Sequence, residues 1–317
     1  MGGLLAGWVS RKLIFVAPSV AGPALRSTFA EGMGELSPPL LSLAMFTFQQ
    51  FVIDDAHCAM KVGTDGVLLG AWAGVEGARR ILDVGCGSGL IALMAAQRNA
   101  SARVVGVEIA PEAVADARLN VARSPFASRV VVEQGDVVSP AVVARLLAHG
   151  PFDCVVSNPP YHEEELLPPS AGRAAARHTD SGLSFEALLH VVARVSGPAS
   201  EVWQSASQVE GVANSVPQRV GEAFSCDRAE WRAPRFCVVL PTAAVSRFVA
   251  LAAAYGFCPE RRTDVVTRPH KSPKRSLLSF LLRPQEPVAQ TVDVLPLLAE
   301  DGGRSEAYAR LCRHFYL

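Results

Sequence analysis

Residues 81–107 read Ile-Leu-Asp-Val-Gly-Cys-Gly-Ser-Gly-Leu-Ile-Ala-Leu-Met-Ala-Ala-Gln-Arg-Asn-Ala-Ser-Ala-Arg-Val-Val-Gly-Val. A short apolar run, Ile81–Val84, is followed by a glycine-rich turn, by an Ala-rich apolar stretch at 90–97 and by a second apolar run at 103–107. The first and last runs have the length of strands, and the middle stretch has the length and composition of a helix. The sequence therefore predicts two parallel strands joined by a helical crossover.

The same alternation continues downstream. A helix is predicted at 111–121, where Pro111 occupies the first turn, and another at 141–148. Strands are predicted at 129–133 and 152–157. Strands that are apolar throughout are buried on both faces, as in parallel sheets. We predict an α/β fold with a doubly wound, mostly parallel sheet.

The glycine-rich turn, Asp83 to Gly89, closes the first predicted strand. Doubly wound sheets bind ligands beyond the carboxyl ends of their strands, where the strand order reverses. The glycines allow a tight turn, let a ligand approach the backbone and leave N–H groups free where the next helix begins. Residues 87–92 also satisfy the relaxed dinucleotide fingerprint, so an NAD-dependent oxidoreductase is an alternative. Asp83 would repel a pyrophosphate but attract the ammonium and sulfonium groups of S-adenosylmethionine, which favours the sulfonium cofactor.

Acidic residues follow the next two predicted strands. Glu108 closes the second strand about twenty residues after the glycines, where a carboxylate can accept hydrogen bonds from ribose hydroxyls. Asp136 follows Gln134-Gly135 at the end of the third strand and is suited to accept from an adenine amino group. The alternatives are an exposed loop acid for Glu108 and an ordinary turn aspartate for Asp136.

Asn158-Pro159-Pro160-Tyr161 follows the fourth predicted strand. Two prolines cannot donate ladder hydrogen bonds and have a fixed φ, so the chain leaves the sheet here as a rigid, exposed turn. A residue before proline is extended, which projects the Asn158 amide outward. An acceptor amide, a backbone carbonyl and the Tyr161 ring together suit a planar amino group; the alternative is a surface turn with an incidental aromatic residue.

The composition narrows the class of protein. Lys plus Arg and Asp plus Glu number 30 each in 317 residues, so any contact with nucleic acid must come from local basic patches. The seven cysteines are dispersed without a C-x-x-C pair, which is typical of reduced thiols in an intracellular protein. No apolar stretch reaches the roughly 18 residues that a membrane span needs. The histidines lack ligand spacing, so we expect no metal. From the cysteines and the short apolar stretches we expect a soluble, cytoplasmic protein.

Two segments differ from the rest of the chain. Residues 1–44 carry no acidic residue before Glu31 and end in a Pro-rich stretch, and we interpret them as a disordered tail or as a start upstream of the natural one. A transit peptide is the alternative. The predicted catalytic domain covers 45–317. Residues 196–233 show no clear periodicity, and we interpret them as an insertion, because structureless loops of that length are uncommon in a compact domain.

The glycine turn, the strand-end acids and the Asn-Pro-Pro-Tyr turn together resemble the class I S-adenosylmethionine-dependent methyltransferases that act on exocyclic or amide nitrogens. A more specific resemblance comes from Phe46-Thr47-Phe48-Gln49-Gln50-Phe51 and from Cys58-Ala59-Met60-Lys61-Val62-Gly63-Thr64-Asp65-Gly66 through Trp72. These blocks are similar to the opening of the bacterial tRNA(Val) adenine-N6 methyltransferases. Further matches fall at 262–265, 276–280 and 305–317, so the resemblance covers roughly residues 45–195 and 234–317.

The resemblance implies a seven-stranded sheet with an antiparallel last strand, S-adenosyl-L-methionine as methyl donor and N6 of adenine 37 in tRNA(Val) as acceptor. The sequence leaves the oligomeric state open, and a monomer is our expectation. The residues implied in catalysis are Asn158, Pro159 and Tyr161. The residues implied in cofactor binding are Lys61, Thr64, Asp83, Gly85, Cys86, Gly87, Gly89, Glu108 and Asp136. The residues implied in substrate binding are Pro160, Arg173, Arg177, Lys271, Lys274 and Arg275, the last three from a basic run that also holds Arg261, Arg262 and Arg268.

Alternatives stay open at each level. Enzymes with the same motif methylate guanine N2 in ribosomal RNA, glutamine N5 in proteins or adenine N6 in DNA, and a non-catalytic RNA-binding relative would keep the fold. The segment from Lys61 to Asp65 either closes over the methionine end of the cofactor or supplies Thr64 or Asp65 as the N-cap of a helix. The basic run is either a phosphate-binding patch or solvated surface.

Overall fold

The structure, a computed structural model, describes residues 45–160, 183–196 and 233–316. The predicted tail at 1–44 and residues 197–232 of the predicted insertion lie outside this range, as do three predicted site residues: Tyr161, Arg173 and Arg177.

Ten strands and seven α-helices make up the described part of the chain. The strands are β1 Met45–Thr47, β2 Val52–Asp54, β3 Arg80–Val84, β4 Arg103–Glu108, β5 Val130–Gln134, β6 Cys154–Ser157, β7 Arg235–Pro241, β8 Phe257–Val266, β9 Arg275–Leu282 and β10 Thr291–Pro296. The helices are α1 Thr64–Trp72, α2 Leu90–Arg98, α3 Pro111–Arg123, α4 Pro140–Ala148, α5 Phe185–Val195, α6 Val245–Ala254 and α7 Glu306–Cys312. The predicted strands and helices between residues 81 and 157 are all present, with bounds shifted by a residue or two.

Eight strands form one sheet in the order β10-β8-β9-β7-β6-β3-β4-β5, and β1 pairs with β2 separately. Neighbouring strands are parallel except at β9, which is antiparallel to both β7 and β8. The predicted doubly wound, mostly parallel sheet with an antiparallel strand is confirmed. The described part of the sheet has one strand more than the predicted seven, because β10 pairs in parallel with β8 at the edge.

Two layers of helices cover the sheet. Because successive side chains of a strand point to opposite faces, Ile81 packs into the layer of α1, α2, α3 and α7, whereas Leu82 packs into the layer of α4, α5 and α6. Both side chains are fully buried. Burial of such a side chain contributes roughly 1.5–3 kcal/mol, so the continuous apolar strands stabilise the sheet from both sides. The sheet is therefore a rigid platform for the loops at its edge.

The strand order reverses beside β3, which pairs with β4 on one side and with β6 on the other. Strands β3 to β8 and β10 run in the same direction, and β9 runs opposite to them. The carboxyl ends of the seven parallel strands therefore share one edge of the sheet. At this edge the Ser157 hydroxyl donates to the Val84 carbonyl oxygen at 2.9 Å and joins the ends of β6 and β3. The glycine turn and the Asn158 turn therefore lie next to each other at the switch point.

Candidate active site

The glycine turn after β3 depends on left-handed backbone. Gly85, Gly87 and Gly89 have φ angles of 69°, 51° and 81°, a region that costs other residues roughly 1–2 kcal/mol each. Gly89 is the N-cap of α2 and offers no side chain to cap the helix. The N–H groups at the start of α2 therefore face the same edge of the sheet as the ends of β3 and β6, as a helix terminus that binds a ligand requires. Cys86, between the glycines, is buried.

Asp83 lies beneath this turn and is fully buried. Its Oδ2 accepts a hydrogen bond from the Ala92 N–H at 3.0 Å, while its Oδ1 is buried without a hydrogen-bond partner. Burial, reinforced by the charge of Glu108, raises the pKa of Asp83 from 3.8 to about 7, and the Ala92 N–H opposes this shift. A positive charge held in the turn would favour the ionised carboxylate. The site thus fits the cationic methionine end of S-adenosylmethionine.

Glu108 ties the glycine turn to the loop after β4. Its Oε2 accepts from the Gly87 N–H at 2.9 Å, and its Oε1 accepts from the N–H groups of Ile109 and Ala110 at 2.9 and 3.0 Å. A carboxylate has about four lone-pair sites, so these three bonds leave capacity for a ribose hydroxyl. Glu108 is therefore more than the exposed loop acid of the alternative interpretation.

Asp136 is exposed after β5. Its Oδ1 accepts from the Val138 N–H at 3.1 Å, and its carbonyl oxygen accepts from the Ser139 N–H. This is the local turn that the alternative interpretation describes. A contact from Asp136 to an adenine amino group stays a prediction.

The Asn158 turn begins where β6 ends. Pro159 is buried and Pro160 is exposed, so the turn is anchored at one proline and open at the next. The Asn158 side-chain Nδ2 donates to the thioether sulfur of Met60 at 3.4 Å. Met60 belongs to the segment before α1, whose contact with Asn158 was not predicted from the sequence.

Helix α1 is capped by neither of the two residues considered above, Thr64 and Asp65. The N-cap is Gly63, with φ −139° and ψ 168°, and Thr64 is the first helical residue, so the N-cap interpretation of Thr64 and Asp65 is wrong. Glycine is one of the residues preferred at an N-cap, and Gly63 makes no side-chain hydrogen bond to the helix. Lys61 folds back, and its Nζ donates to the carbonyl oxygens of Asp55 and Ala56 at 2.5 and 2.8 Å.

The basic run divides into two groups. Three of its arginines form ion pairs with carboxylates: Arg261 with Asp293, Arg262 with Asp264 and Arg275 with Asp65. The other three members, Arg268, Lys271 and Lys274, are exposed on the loop between β8 and β9. This loop lies at the carboxyl edge of the sheet, three strands from β6, or about 14 Å at roughly 4.8 Å per strand.

Comparison with known proteins agrees with this geometry. Residues 63–215 match the family model "Methyltransferase small domain". The chain is 34% identical over 275 residues to a tRNA1(Val) (adenine(37)-N6)-methyltransferase of Shewanella loihica, covering 86% of this chain and 98% of the relative. It is 37% identical over 277 residues to the protein of the same name from Bacteroides thetaiotaomicron, covering 86% and 97%.

The chain belongs to this family of methyltransferases. A predicted O-methyltransferase of Agrobacterium tumefaciens has the same fold, with a TM-score of 0.54 at 18% identity, covering 79% of this chain and 96% of that one. Family membership confirms the predicted enzyme class and S-adenosylmethionine as its cofactor. The NAD-dependent alternative is thereby removed.

Among the described residues no group of three or more His, Cys, Asp or Glu side chains could hold a metal ion. Within the same ranges no helix is long and apolar enough to cross a membrane.

Two polar residues of α3 were missed by sequence reasoning. Asp116 and Asn120 are 6% and 1% exposed, and both bind the segment before α1. They are four residues apart and so lie on one face of the helix, yet in the sequence they look like surface polar residues. The available signal was their helical spacing, which puts them on the same face as the apolar Ala113, Ala117 and Val121.

Proposed function

We propose that this methyltransferase transfers the methyl group of S-adenosylmethionine to N6 of an adenine in tRNA, adenine 37 of tRNA(Val). The observation that carries the proposal is the junction of the Asn158 turn with the glycine turn, held by the Ser157 to Val84 hydrogen bond. The names of the relatives from Shewanella and Bacteroides supply the substrate.

The chemistry follows from the position of Asn158. An adenine N6 amine is a poor nucleophile because its lone pair is delocalised into the ring. The Asn158 Oδ1 and the Pro159 carbonyl oxygen accept the two amine hydrogens, which localises the lone pair and directs it at the transferred methyl group. These bonds strengthen as the nitrogen becomes cationic, so they stabilise the transition state more than the ground state. The methylated ammonium then loses its proton without a strong base.

The cofactor site combines the groups around the glycine turn. S-adenosylmethionine supplies an electrophilic methyl group when bound. The helix N-terminus at Gly89 and the buried carboxylate of Asp83 would hold its methionine end, Glu108 would accept from its ribose, and Asp136 would accept from its adenine. Positioning of this kind contributes roughly 7–11 kcal/mol in well-oriented reactions.

The substrate site extends from the Asn158 turn along the carboxyl edge of the sheet. The resemblance assigns Tyr161, which lies outside the described residues, to stacking on the target base, worth about 1–3 kcal/mol, and Pro160 to substrate contact. The exposed basic loop that holds Lys271 and Lys274 is the described surface for phosphates of the anticodon arm. Arg173 and Arg177 lie outside the described residues, and their phosphate contacts stay a prediction.

Arg275 contributes less to phosphate binding than a free cation would. Its guanidinium is paired with Asp65 at 2.8 Å, so a phosphate must compete with a carboxylate for it.

A tRNA substrate implies a cytoplasmic enzyme, and we expect it to act as a monomer.

The experiment that tests the reaction class compares substrates. Purified enzyme with methyl-labelled S-adenosylmethionine is offered unmodified bulk tRNA, ribosomal RNA, duplex DNA and a glutamine-containing release-factor peptide, and the products are identified by mass spectrometry. We expect N6-methyladenosine in the tRNA fraction alone. Label in N2-methylguanosine or in the peptide would replace the proposal with the corresponding alternative.

A further inference from the structure

We propose that Met60 is a positioning residue that fixes the orientation of the Asn158 amide, and that the segment 54–62 is built to hold it there. The inference rests on the proposed function, in which the Asn158 Oδ1 accepts from the target amine. The observation behind it is the 3.4 Å hydrogen bond from the Asn158 Nδ2 to the Met60 Sδ.

An asparagine amide has two nearly isosteric ends. The terminal torsion of asparagine is broad and roughly two-fold, so rotation by a half turn costs little in itself. In the productive orientation Oδ1 faces the amine; in the flipped one, Nδ2 presents hydrogens to hydrogens and the bond is lost. A neighbour that accepts hydrogen bonds but cannot donate them selects the productive orientation.

A thioether is such a neighbour. The methionine sulfur is a weak acceptor without a hydrogen of its own, so it pairs with Nδ2 and gains nothing from Oδ1. Met60 is 49% exposed, which indicates that core packing is not the reason for a large apolar side chain at this position. A leucine would supply the same volume without the acceptor.

The segment that carries Met60 is fastened at both ends by internal contacts. Asp55 is 1% exposed, and its Oδ2 accepts from the Val62 N–H at 2.7 Å, closing the loop across Met60. Lys61 donates from its Nζ to the carbonyl oxygens of Asp55 and Ala56. The residues on either side of Met60 are thus tied to the base of the loop.

Helix α3 then fixes this loop to the cofactor turn. The backbone N–H and Nδ1 of His57 donate to the two oxygens of Asp116 at 2.8 and 2.9 Å. The Asn120 side chain exchanges two hydrogen bonds with the backbone of Asp54, and its Nδ2 also donates to the Ser88 carbonyl oxygen at 2.9 Å. One face of α3 therefore contacts both the segment 54–62 and the glycine turn. These contacts fix the position of Met60, and so of the Asn158 amide, relative to the cofactor site.

The test is a double-mutant cycle between Met60 and Asn158. Met60→Leu should lower kcat roughly two- to ten-fold, the worth of one net hydrogen bond, with the S-adenosylmethionine Kd unchanged. In the Asn158→Asp background, where neither oxygen carries a donor, Met60→Leu should cause no further loss. Met60→Gln, which can accept but also donate, should fall between wild type and Met60→Leu. Met45→Leu removes a thioether from β1 and should leave the rate unchanged.

An independent readout keeps the inference separate from the proposed function. The side-chain amide resonance of Asn158, assigned by its loss in Asn158→Asp, should shift and exchange faster in Met60→Leu. A wild-type enzyme that does not methylate adenine would overturn the proposed function, and the amide resonance would still test the contact. Equal rates and equal amide resonances in wild type and Met60→Leu would overturn the inference.

Discussion

The buried carboxylate of Asp83 makes the cofactor-free protein sensitive to pH. Its pKa lies near 7 when folded against 3.8 in the ordinary state, because burial disfavours the charge. A carboxyl group whose folded pKa is raised binds more protons in the folded state, so stability is greatest at low pH and falls as pH rises toward 7. Integrated between pH 5 and pH 8, this one group should lower the free energy of unfolding by about 2–3 kcal/mol.

Asp83→Asn removes this dependence. The asparagine Oδ1 keeps the bond from the Ala92 N–H, while its NH2 group replaces the unpartnered Oδ1. An unsatisfied buried amide costs about 1–3 kcal/mol, but that cost does not change with pH. The stability difference between variant and wild type should therefore move in favour of the variant by about 2–3 kcal/mol from pH 5 to pH 8.

Urea unfolding without cofactor, at one-unit steps from pH 5 to pH 8, measures this difference. Glu260→Gln is a matched control, since its hydrogen bonds with Arg235 lower the pKa of Glu260 and its contribution is lost only as pH falls below about 4.5. Its difference from wild type should stay constant over the same range. Parallel pH profiles for Asp83→Asn and wild type would refute the claim that burial raises the pKa of Asp83. Asp83→Asn should also bind S-adenosylmethionine more weakly than wild type at pH 8.

Three further predictions concern the site. Asn158→Ala should lower kcat by about 10²–10³-fold, the range for loss of one preorganised polar group, while calorimetry shows an S-adenosylmethionine Kd within about two-fold of wild type. Gly87→Ala should cost about 1–2 kcal/mol in urea unfolding because φ is 51°, and should also weaken cofactor binding. Replacing Arg268, Lys271 and Lys274 by alanine should weaken tRNA binding and reduce the slope of log K against log salt by about 2–3.

The glycine substitution and the triple replacement each have a matched comparison. Gly77→Ala strains a turn at φ 78° away from the site, so it should lose similar stability and keep cofactor affinity. Arg261→Ala removes a basic residue paired with Asp293 and should leave the salt slope as it is. An active Asn158→Ala, or an unchanged slope in the triple variant, would contradict the corresponding role.

Local pattern was sufficient to predict the fold around residues 81–157. Each strand there is a largely apolar run that ends at or next to Gly, Glu or Asn, and each helix is apolar throughout or on one face. The strand β10 was missed because Val292 and Val294 are 62% and 61% exposed. An edge strand paired on one side carries no pattern of burial on both faces.

The strand ends that carry Gly85, Glu108 and Asp136 could likewise be located from sequence, but the contacts that position them could not. Asn120 meets Asp54 across 66 positions, and Arg275 meets Asp65 across 210. Whether an arginine is exposed or paired depends on such remote partners, so the basic run looked continuous in the sequence and proved to be half neutralised. The Met60 to Asn158 contact, across 98 positions, is of the same kind.

The nucleotide that this enzyme methylates can be identified in a single tRNA. A tRNA(Val) transcript with adenine at position 37 and a second transcript with guanine there are incubated with enzyme and methyl-labelled S-adenosylmethionine, then digested and sequenced by mass spectrometry. We predict one methyl group on N6 of adenine 37 in the first transcript and none in the second. Equal labelling of both transcripts, or a methyl group at another nucleotide, would contradict it.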